Sequence, residues 1–208
     1  TMKKLPALRL GPEAIRYLIP HRRPLLLVDR VLGYERAPNP TVLACRFISA
    51  NEEIFTGHLP QLALWPGSFI YEGLGQTSNL LHMLWTLQQE FEAHGAPAED
   101  VLEGLLALDH AARLQPGQLP PKAELLHDVL SRPALPVGLA AGVEMKFLQP
   151  VYPGSRLDYR VTQTHLTDSI IRFEGEAEVD GQLVARGVLH ATRGLPLLQG
   201  RRPPGSTG

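Results

Sequence analysis

Gly67-Ser68-Phe69-Ile70-Tyr71-Glu72-Gly73-Leu74-Gly75-Gln76-Thr77-Ser78-Asn79-Leu80-Leu81-His82-Met83-Leu84-Trp85-Thr86-Leu87-Gln88 is the stretch whose reading decides the fold. Its apolar residues do not form a single stripe. Phe69, Ile70, Leu74, Leu80, Leu81, Met83, Leu84, Trp85 and Leu87 cover most of a helix's circumference, and a helix apolar nearly all round is a buried one. Glu72, Gln76 and Asn79 stand at i, i+4 and i+7 and form one narrow polar line on that rod. A membrane span is the poorer reading, because the stretch carries His82 and no apolar run in the chain reaches the ~18–20 residues a span needs. The pattern therefore predicts a buried helix from Gly67 to about Gln88, around which something else must wrap.

What wraps it is read outward in both directions. Upstream, Pro12 can open a short helix with Ile15, Leu18 and Ile19 on one face. Leu25–Val31 and Thr41–Ser49 read as strands, and residues 51–66 as a loop broken by Gly57, Pro60 and Pro66. Downstream, Gly142–Leu148, Arg156–His165, Ser169–Val179 and Gln182–Thr192 read as successive strands. In the third of these, Ile171, Phe173, Gly175, Ala177 and Val179 face one way while Arg172, Glu174, Glu176 and Glu178 face the other. Period two with one charged face predicts an antiparallel sheet with one side in water. Asp180-Gly181 predicts a type I′ hairpin, and Pro153-Gly154 another turn. The fold class is α+β: one antiparallel sheet around one long buried helix, as a single domain over residues 1–193. Residues 94–137 read as a helical insertion within that domain, with helices expected after Pro97 and from Pro121 to Leu130. Its ten leucines need a surface to pack on, and it is expected to act as a lid or docking element whose removal (96–134) spares the core. Residues 1–11 read as a disposable lead and 194–208 as a flexible Pro/Gly/Arg-rich tail.

Composition narrows the function. With 44% hydrophobic and 20% charged residues, the chain can bury a core. A net charge of -1 gives no electrostatic footprint for nucleic acid. The single cysteine, Cys45, excludes an intrachain disulfide and a cysteine-based zinc site. With no secretory signal read at the start of the chain, it predicts a reducing, cytoplasmic setting. The remaining histidines have no ligand spacing, so no metal site is expected.

Chemistry concentrates in Gly57-His58-Leu59-Pro60, Trp65-Pro66-Gly67 and Tyr71-Glu72-Gly73-Leu74-Gly75-Gln76. His58 sits in a loop held by Gly and Pro just before the buried helix. Gly67 falls in that helix's first turn, where backbone N–H groups lack partners and can polarise a carbonyl oxygen. Glu72 is a carboxylate on an apolar rod, where desolvation favours its protonated form. An imidazole, a polarising amide and a protonated carboxyl are the parts needed to remove a proton next to a carbonyl and expel a β-hydroxyl.

At these residues the sequence resembles the 3-hydroxyacyl-[acyl-carrier-protein] dehydratases, which have the hotdog fold. The resemblance rests on His58, on Gly67 nine residues later and on Glu72 fourteen residues later. It also rests on the opening run Pro20-His21-Arg22-Arg23-Pro24-Leu25-Leu26-Leu27-Val28-Asp29-Arg30, on Lys146-Phe147-Leu148-Gln149-Pro150-Val151, on Pro153-Gly154 and on Val179-Asp180-Gly181. It implies that His58 takes the C2 proton of a (3R)-3-hydroxyacyl thioester and that the Gly67 amide holds the thioester carbonyl. Glu72, from the second subunit of a homodimer or dimer-based oligomer, would protonate the leaving hydroxyl, with Gln76 orienting it. It further implies a trans-2-enoyl product, an acyl carrier protein presenting the substrate on a phosphopantetheine arm, and no metal or redox cofactor. The acid being Glu resembles the branch that dehydrates without isomerising. The pathway implied is fatty acid or polyketide/polyene biosynthesis.

Several positions depart from the family pattern. Leu59 replaces a usual Phe, Ala63-Leu64-Trp65 replaces Pro-Val-Met, and Gly73 and Gly75 stand where Ala is usual. Paired glycines let something bulky approach the helix. Trp65 and Tyr71 are candidates for substrate contact, with core packing as the competing reading. His21 reads as structural, and Arg22, Arg23, Lys146 and Arg156 as solvated charges that could also meet an acidic carrier. A hotdog acyl thioesterase is the alternative within enzymes, and a non-catalytic acyl-binding or partner subunit the alternative from another class.

Overall fold

The computed structural model describes residues 4–114, 118–131, 136–137, 139–192 and 195–196. Its elements, in chain order, are β1 (Ala7–Leu10), α1 (Pro12–Leu18), β2 (Arg30–Glu35), β3 (Thr41–Phe47), α2 (Gly67–Ala93), α3 (Glu99–Leu114), α4 (Glu124–Ser131), β4 (Pro136–Val137), β5 (Ala140–Phe147), β6 (Arg156–Leu166), β7 (Ile170–Val179), β8 (Gln182–Thr192) and β9 (Leu195–Pro196). Seven strands form one sheet in the order β1-β2-β3-β6-β7-β8-β5, and β4 pairs with β9 separately. Neighbouring strands are antiparallel throughout. This is the expected α+β hotdog arrangement, with α2 laid against the concave face.

The alternation read in β7 holds: Ile171, Phe173, Gly175 and Ala177 are buried and Glu174 and Glu176 exposed. It breaks at the bulge between Ala177 and Glu178, which turns Glu178 inward. Asp180 and Gly181 have φ of 52° and 77°, the left-handed pair that a type I′ turn demands. The core joins Leu74, Leu80, Leu81 and Leu84 of α2 to Tyr159 and Val161 of β6, Phe173 of β7 and Leu189 of β8. Two small polar residues on α2 are satisfied locally: the Thr77 and Ser78 hydroxyls donate to the carbonyls of Gly73 and Leu74, one turn back.

α2 runs past the expected Gln88 to Ala93. Its stop is a Schellman cap. Gly95 is left-handed (φ 75°), its N–H donates to Glu92 O, and the Ala96 N–H donates to Phe91 O. The strand expected at Leu25–Val31 begins only at Arg30. Over residues 25–27 the backbone bonds to a side chain of α2 in place of a neighbouring strand: Gln76 accepts the Leu27 N–H at 2.8 Å and donates to Leu25 O at 2.6 Å.

The lead and the insertion are both corrected. Residues 7–10 form β1, an edge strand with Leu8 and Leu10 buried, so the lead is part of the sheet. Val101, Leu105 and Leu108 of α3, and Leu126, Val129 and Leu130 of α4, belong to the same apolar cluster as Ile15, Leu18 and Leu87. The insertion is core and not a lid, because its leucines complete the packing around α1 and the far half of α2. Of the tail, Leu195–Pro196 pair with β4; residues 197–208 lie outside the described residues.

One bond shows how tightly the insertion is used. Gly11, the N-cap residue just before α1, offers no side-chain cap. The buried Asp109 of α3 supplies one, its Oδ1 3.5 Å from the Ala14 N–H, and is itself paired with Arg113. A carboxylate at that end also complements the helix dipole. Asp109→Ala is therefore expected to lower stability by about 1–2 kcal/mol, read as a lower urea midpoint at unchanged slope. Deleting 96–134 is expected to abolish the cooperative unfolding transition seen by circular dichroism.

Candidate active site

Glu72 lies in the second turn of α2, and its position is fixed by Gln76 one turn on. The Gln76 amide is fully occupied: Oε1 accepts from Leu27, and Nε2 donates to Leu25 O and, at 2.8 Å, to Glu72 Oε1. Gln76 is buried, whereas the Glu72 side chain keeps 27% of its exposure. The carboxylate therefore sits at the rim of the buried rod and not inside it.

Glu72 opens into a cavity of about 240 Å³ between α2 and the inner sheet. Tyr71, Gly75 and Asn79 line its helix side, and Phe173, Leu189 and His190 its sheet side. His21 lines it too, with Nε2 3.6 Å from Glu72 Oε1. Burial lowers the His21 pKa from its ordinary value, the Glu72 carboxylate opposes this, and Arg22 adds to it. His21, read from the sequence as structural, is thus placed beside the candidate acid. The signal available was its place in the Pro20–Arg30 run, four residues before the backbone that Gln76 holds. Arg22 is spent on the end of α1, donating to the carbonyls of Arg16 and Ile19, and Arg156 pairs with Asp158.

His58 is held elsewhere, in the loop before α2. Its N–H bonds to Ile54 O, and its ring Nδ1 is 2.9 Å from Leu64 O. A carbonyl can only accept, so Nδ1 carries the hydrogen and the neutral ring keeps its lone pair at Nε2. The next residue, Leu59, has φ of 51°, a left-handed conformation that costs a residue with a Cβ about 1–2 kcal/mol. The turn is closed by Leu62 N–H to Leu59 O.

Gly67 is the first residue of α2, and the helix has no side-chain cap at its start. Among the described residues its N–H makes no hydrogen bond. The ring of Phe147 lies over it, 3.0 Å from where a Cβ would stand. Trp65 is buried edge-on between Phe55 and Phe69, with the Arg46 guanidinium 5.9 Å from its ring. It is not among the residues lining the Glu72 cavity, so within this chain it packs; Tyr71 does line that cavity. Within one chain, then, Glu72, Gln76 and Tyr71 converge with His21. His58, Gly67 and Trp65 form a second group, and no hydrogen bond or ion pair joins His58 to Glu72 among the described residues.

The two unusual glycines have different neighbours. A Cβ on Gly73 would stand 2.2 Å from the Tyr159 hydroxyl and 2.4 Å from its Cζ, so Tyr159 is the bulky group that approaches the helix. That hydroxyl is buried without a hydrogen-bond partner, and burial raises its pKa. Gly75 faces the cavity with nothing nearer than Leu189 Cδ2 at 4.0 Å.

Comparison with known proteins adds three findings. Residues 19–118 match the model of the FabA-like domain. The chain is 32% identical to the 3-hydroxyacyl-[acyl-carrier-protein] dehydratase FabZ of Aliivibrio fischeri over 179 residues, covering 86% of this chain and 90% of the relative. It is 31% identical to the FabZ of Nitratiruptor sp., covering 85% and 93%. Among solved structures, the dehydratase heterocomplex ApeI:P from Xenorhabdus doucetiae superposes with a TM-score of 0.51 at 16% identity, over 92% of each chain, which shows a shared fold. Among the described residues no helix is long and apolar enough to cross a membrane.

The glycine pair gives a direct test of the packing. Gly73→Ala should destabilise by about 1–3 kcal/mol through overpacking against Tyr159. Gly75→Ala should stabilise by up to about 1 kcal/mol from helix propensity alone. Chemical denaturation of the two variants side by side reads the opposite signs.

Proposed function

The chain belongs to the 3-hydroxyacyl-[acyl-carrier-protein] dehydratase family, and from that premise we propose how its residues remove water from a carrier-bound (3R)-3-hydroxyacyl thioester in fatty acid or related polyketide assembly. His58 Nε2 takes the C2 proton. The electron pair moves toward the thioester carbonyl, whose oxygen the Gly67 N–H at the start of α2 receives, aided by the helix dipole. Collapse of the enolate forms the trans C2–C3 double bond and expels the C3 hydroxyl, which leaves as water with a proton from Glu72. Each turnover leaves His58 protonated and Glu72 ionised, and a proton passes back through solvent.

The observation that carries this reading is that both groups are held in the protonation geometry the reaction needs. The Leu64 carbonyl fixes the His58 tautomer with its lone pair at Nε2. Gln76 occupies Glu72 Oε1 and leaves Oε2 for the transferable proton. The steps are proton transfers, so the reading calls for no metal or redox group. The substrate arrives on a phosphopantetheine arm, and the carrier partner is inferred from the FabZ relatives, which are acyl-carrier-protein dehydratases. A cytoplasmic setting is inferred with it, and the buried free thiol of Cys45 supports that.

His58 is not among the residues lining the Glu72 cavity and makes no bond to Glu72 among the described residues, which supports a site shared across a homodimer, with Glu72 supplied by the partner. The sheet edge supports the dimer. Among the described residues β5 has one neighbour only, and Leu139, Val143, Phe147 and Leu148 along or beside it are exposed. Such an edge is ordinarily covered.

The test is a mass-spectrometric assay on 3-hydroxyacyl-carrier substrates of several lengths. The proposed reaction loses one water, a thioesterase would lose the acyl group, and a binding protein would change nothing. His58→Ala and Glu72→Gln should each lower turnover by about 10²–10⁴-fold. Co-refolding the two variants in equal amounts should restore about a quarter of wild-type activity, because half of the dimers then hold one intact site of two. Absence of any recovery would place both groups in one subunit.

A further inference from the structure

The His21 ring has one polar partner among the described residues, the carboxylate of Glu72. Its Nε2 faces Glu72 Oε1 at 3.6 Å, and its Nδ1 is buried with no hydrogen-bond partner. A histidine kept for packing would have its ring nitrogens satisfied by the fold; this one does not. A bare lone pair on Nδ1 costs less than a buried unpaired N–H, so the hydrogen belongs on Nε2, pointing at the carboxylate. The contact is longer than a hydrogen bond, as catalytic contacts commonly are without substrate. Arg22 holds the segment in place by donating to carbonyls at Arg16, Ile19 and His21 itself.

We propose that His21 is a positioning residue for Glu72: its Nε2–H and the Gln76 amide together hold the Oε1 edge of the carboxyl, so that Oε2 alone carries the proton delivered to the leaving hydroxyl. This rests on the assignment of Glu72 as the general acid. The groups facing His21 are Glu72 and Tyr71 from α2, His190 from β8, and Arg22 on its own segment. Burial and Arg22 favour the neutral ring, and that is the useful form. The sign follows directly: as pH falls through the lowered His21 pKa, the ring becomes cationic and meets the carboxyl as a charge in place of the neutral donor that positions it. The acid limb of turnover then includes the protonation of His21.

The experiment measures kcat, KM and the pH profile of His21→Ala and His21→Gln, with thermal denaturation of both and Glu72→Gln in the same assay. His21→Ala should lower kcat by about tenfold or more with KM within about threefold. His21→Gln, which keeps a neutral donor, should recover most of that loss, and its acid limb should be less steep by one proton. Wild-type turnover in His21→Ala overturns the proposal, as does a His21→Gln no better than His21→Ala or an acid limb of unchanged steepness. Retained turnover in Glu72→Gln is a different failure: it removes Glu72 as the acid and the reading on which this one stands.

Discussion

Much of this molecule hangs on one amide. Gln76 takes the Leu27 N–H and gives hydrogen bonds to Leu25 O and Glu72 Oε1, using each polar bond direction that matters inside a buried helix. An amide there without partners would cost about 1–3 kcal/mol. Satisfied, it ties the segment after α1 to α2 and fixes the carboxylate in one step. Because the tie is made to backbone atoms of residues 25 and 27, the chain there cannot also join the sheet, and β2 starts late. The same tie brings His21 to the cavity. One polar side chain on the rod thus sets the path of the segment, the position of the acid and the identity of its neighbour.

The apolar part of the structure obeys a second constraint. α2 is too hydrophobic for one sheet face to cover it. The sheet covers one side through Tyr159, Val161, Phe173 and Leu189, and α1, α3 and α4 cover the far half. The fit is close enough that Gly73 exists for the ring of Tyr159, whose hydroxyl gains nothing in exchange. Gly75, two residues on, is the opposite case, an absent side chain that leaves room in the cavity.

Sequence reading recovered what depends on periodicity and on local backbone demands. The apolar rod from Gly67, the alternation through Ala177 and the Asp180-Gly181 turn are written in residues that are neighbours in the chain. The stop at Gly95 and Pro97 was written there too, but the fading apolar pattern after Gln88 drew the boundary short. The errors have a common cause. Leu25–Val31 has strand composition, yet its partner is a side chain 49 residues away, and periodicity carries no record of such a partner. The insertion looked detachable because its leucines were counted without the surface they meet. The placement of His21 beside Glu72, 51 positions on in the chain, is likewise a long-range contact that local pattern does not record. For His58, the loop composition suggested a held imidazole, but only the 2.9 Å contact to Leu64 O decides which nitrogen keeps its lone pair.

The Asp109 cap has a consequence for how the molecule is made. Ala14 and Asp109 are 95 residues apart. On the ribosome, α1 leaves the exit tunnel long before the carboxylate that finishes it exists, and β3 waits still longer for β6, the strand that joins the first hairpin to the rest of the sheet. The N-terminal third therefore spends much of synthesis with Leu8, Leu10, Ile15 and Leu18 uncovered. Long-range pairings of this kind slow folding and leave apolar surface open meanwhile. For this chain the vulnerable interval is during translation, and the nascent first third is the surface a chaperone would meet.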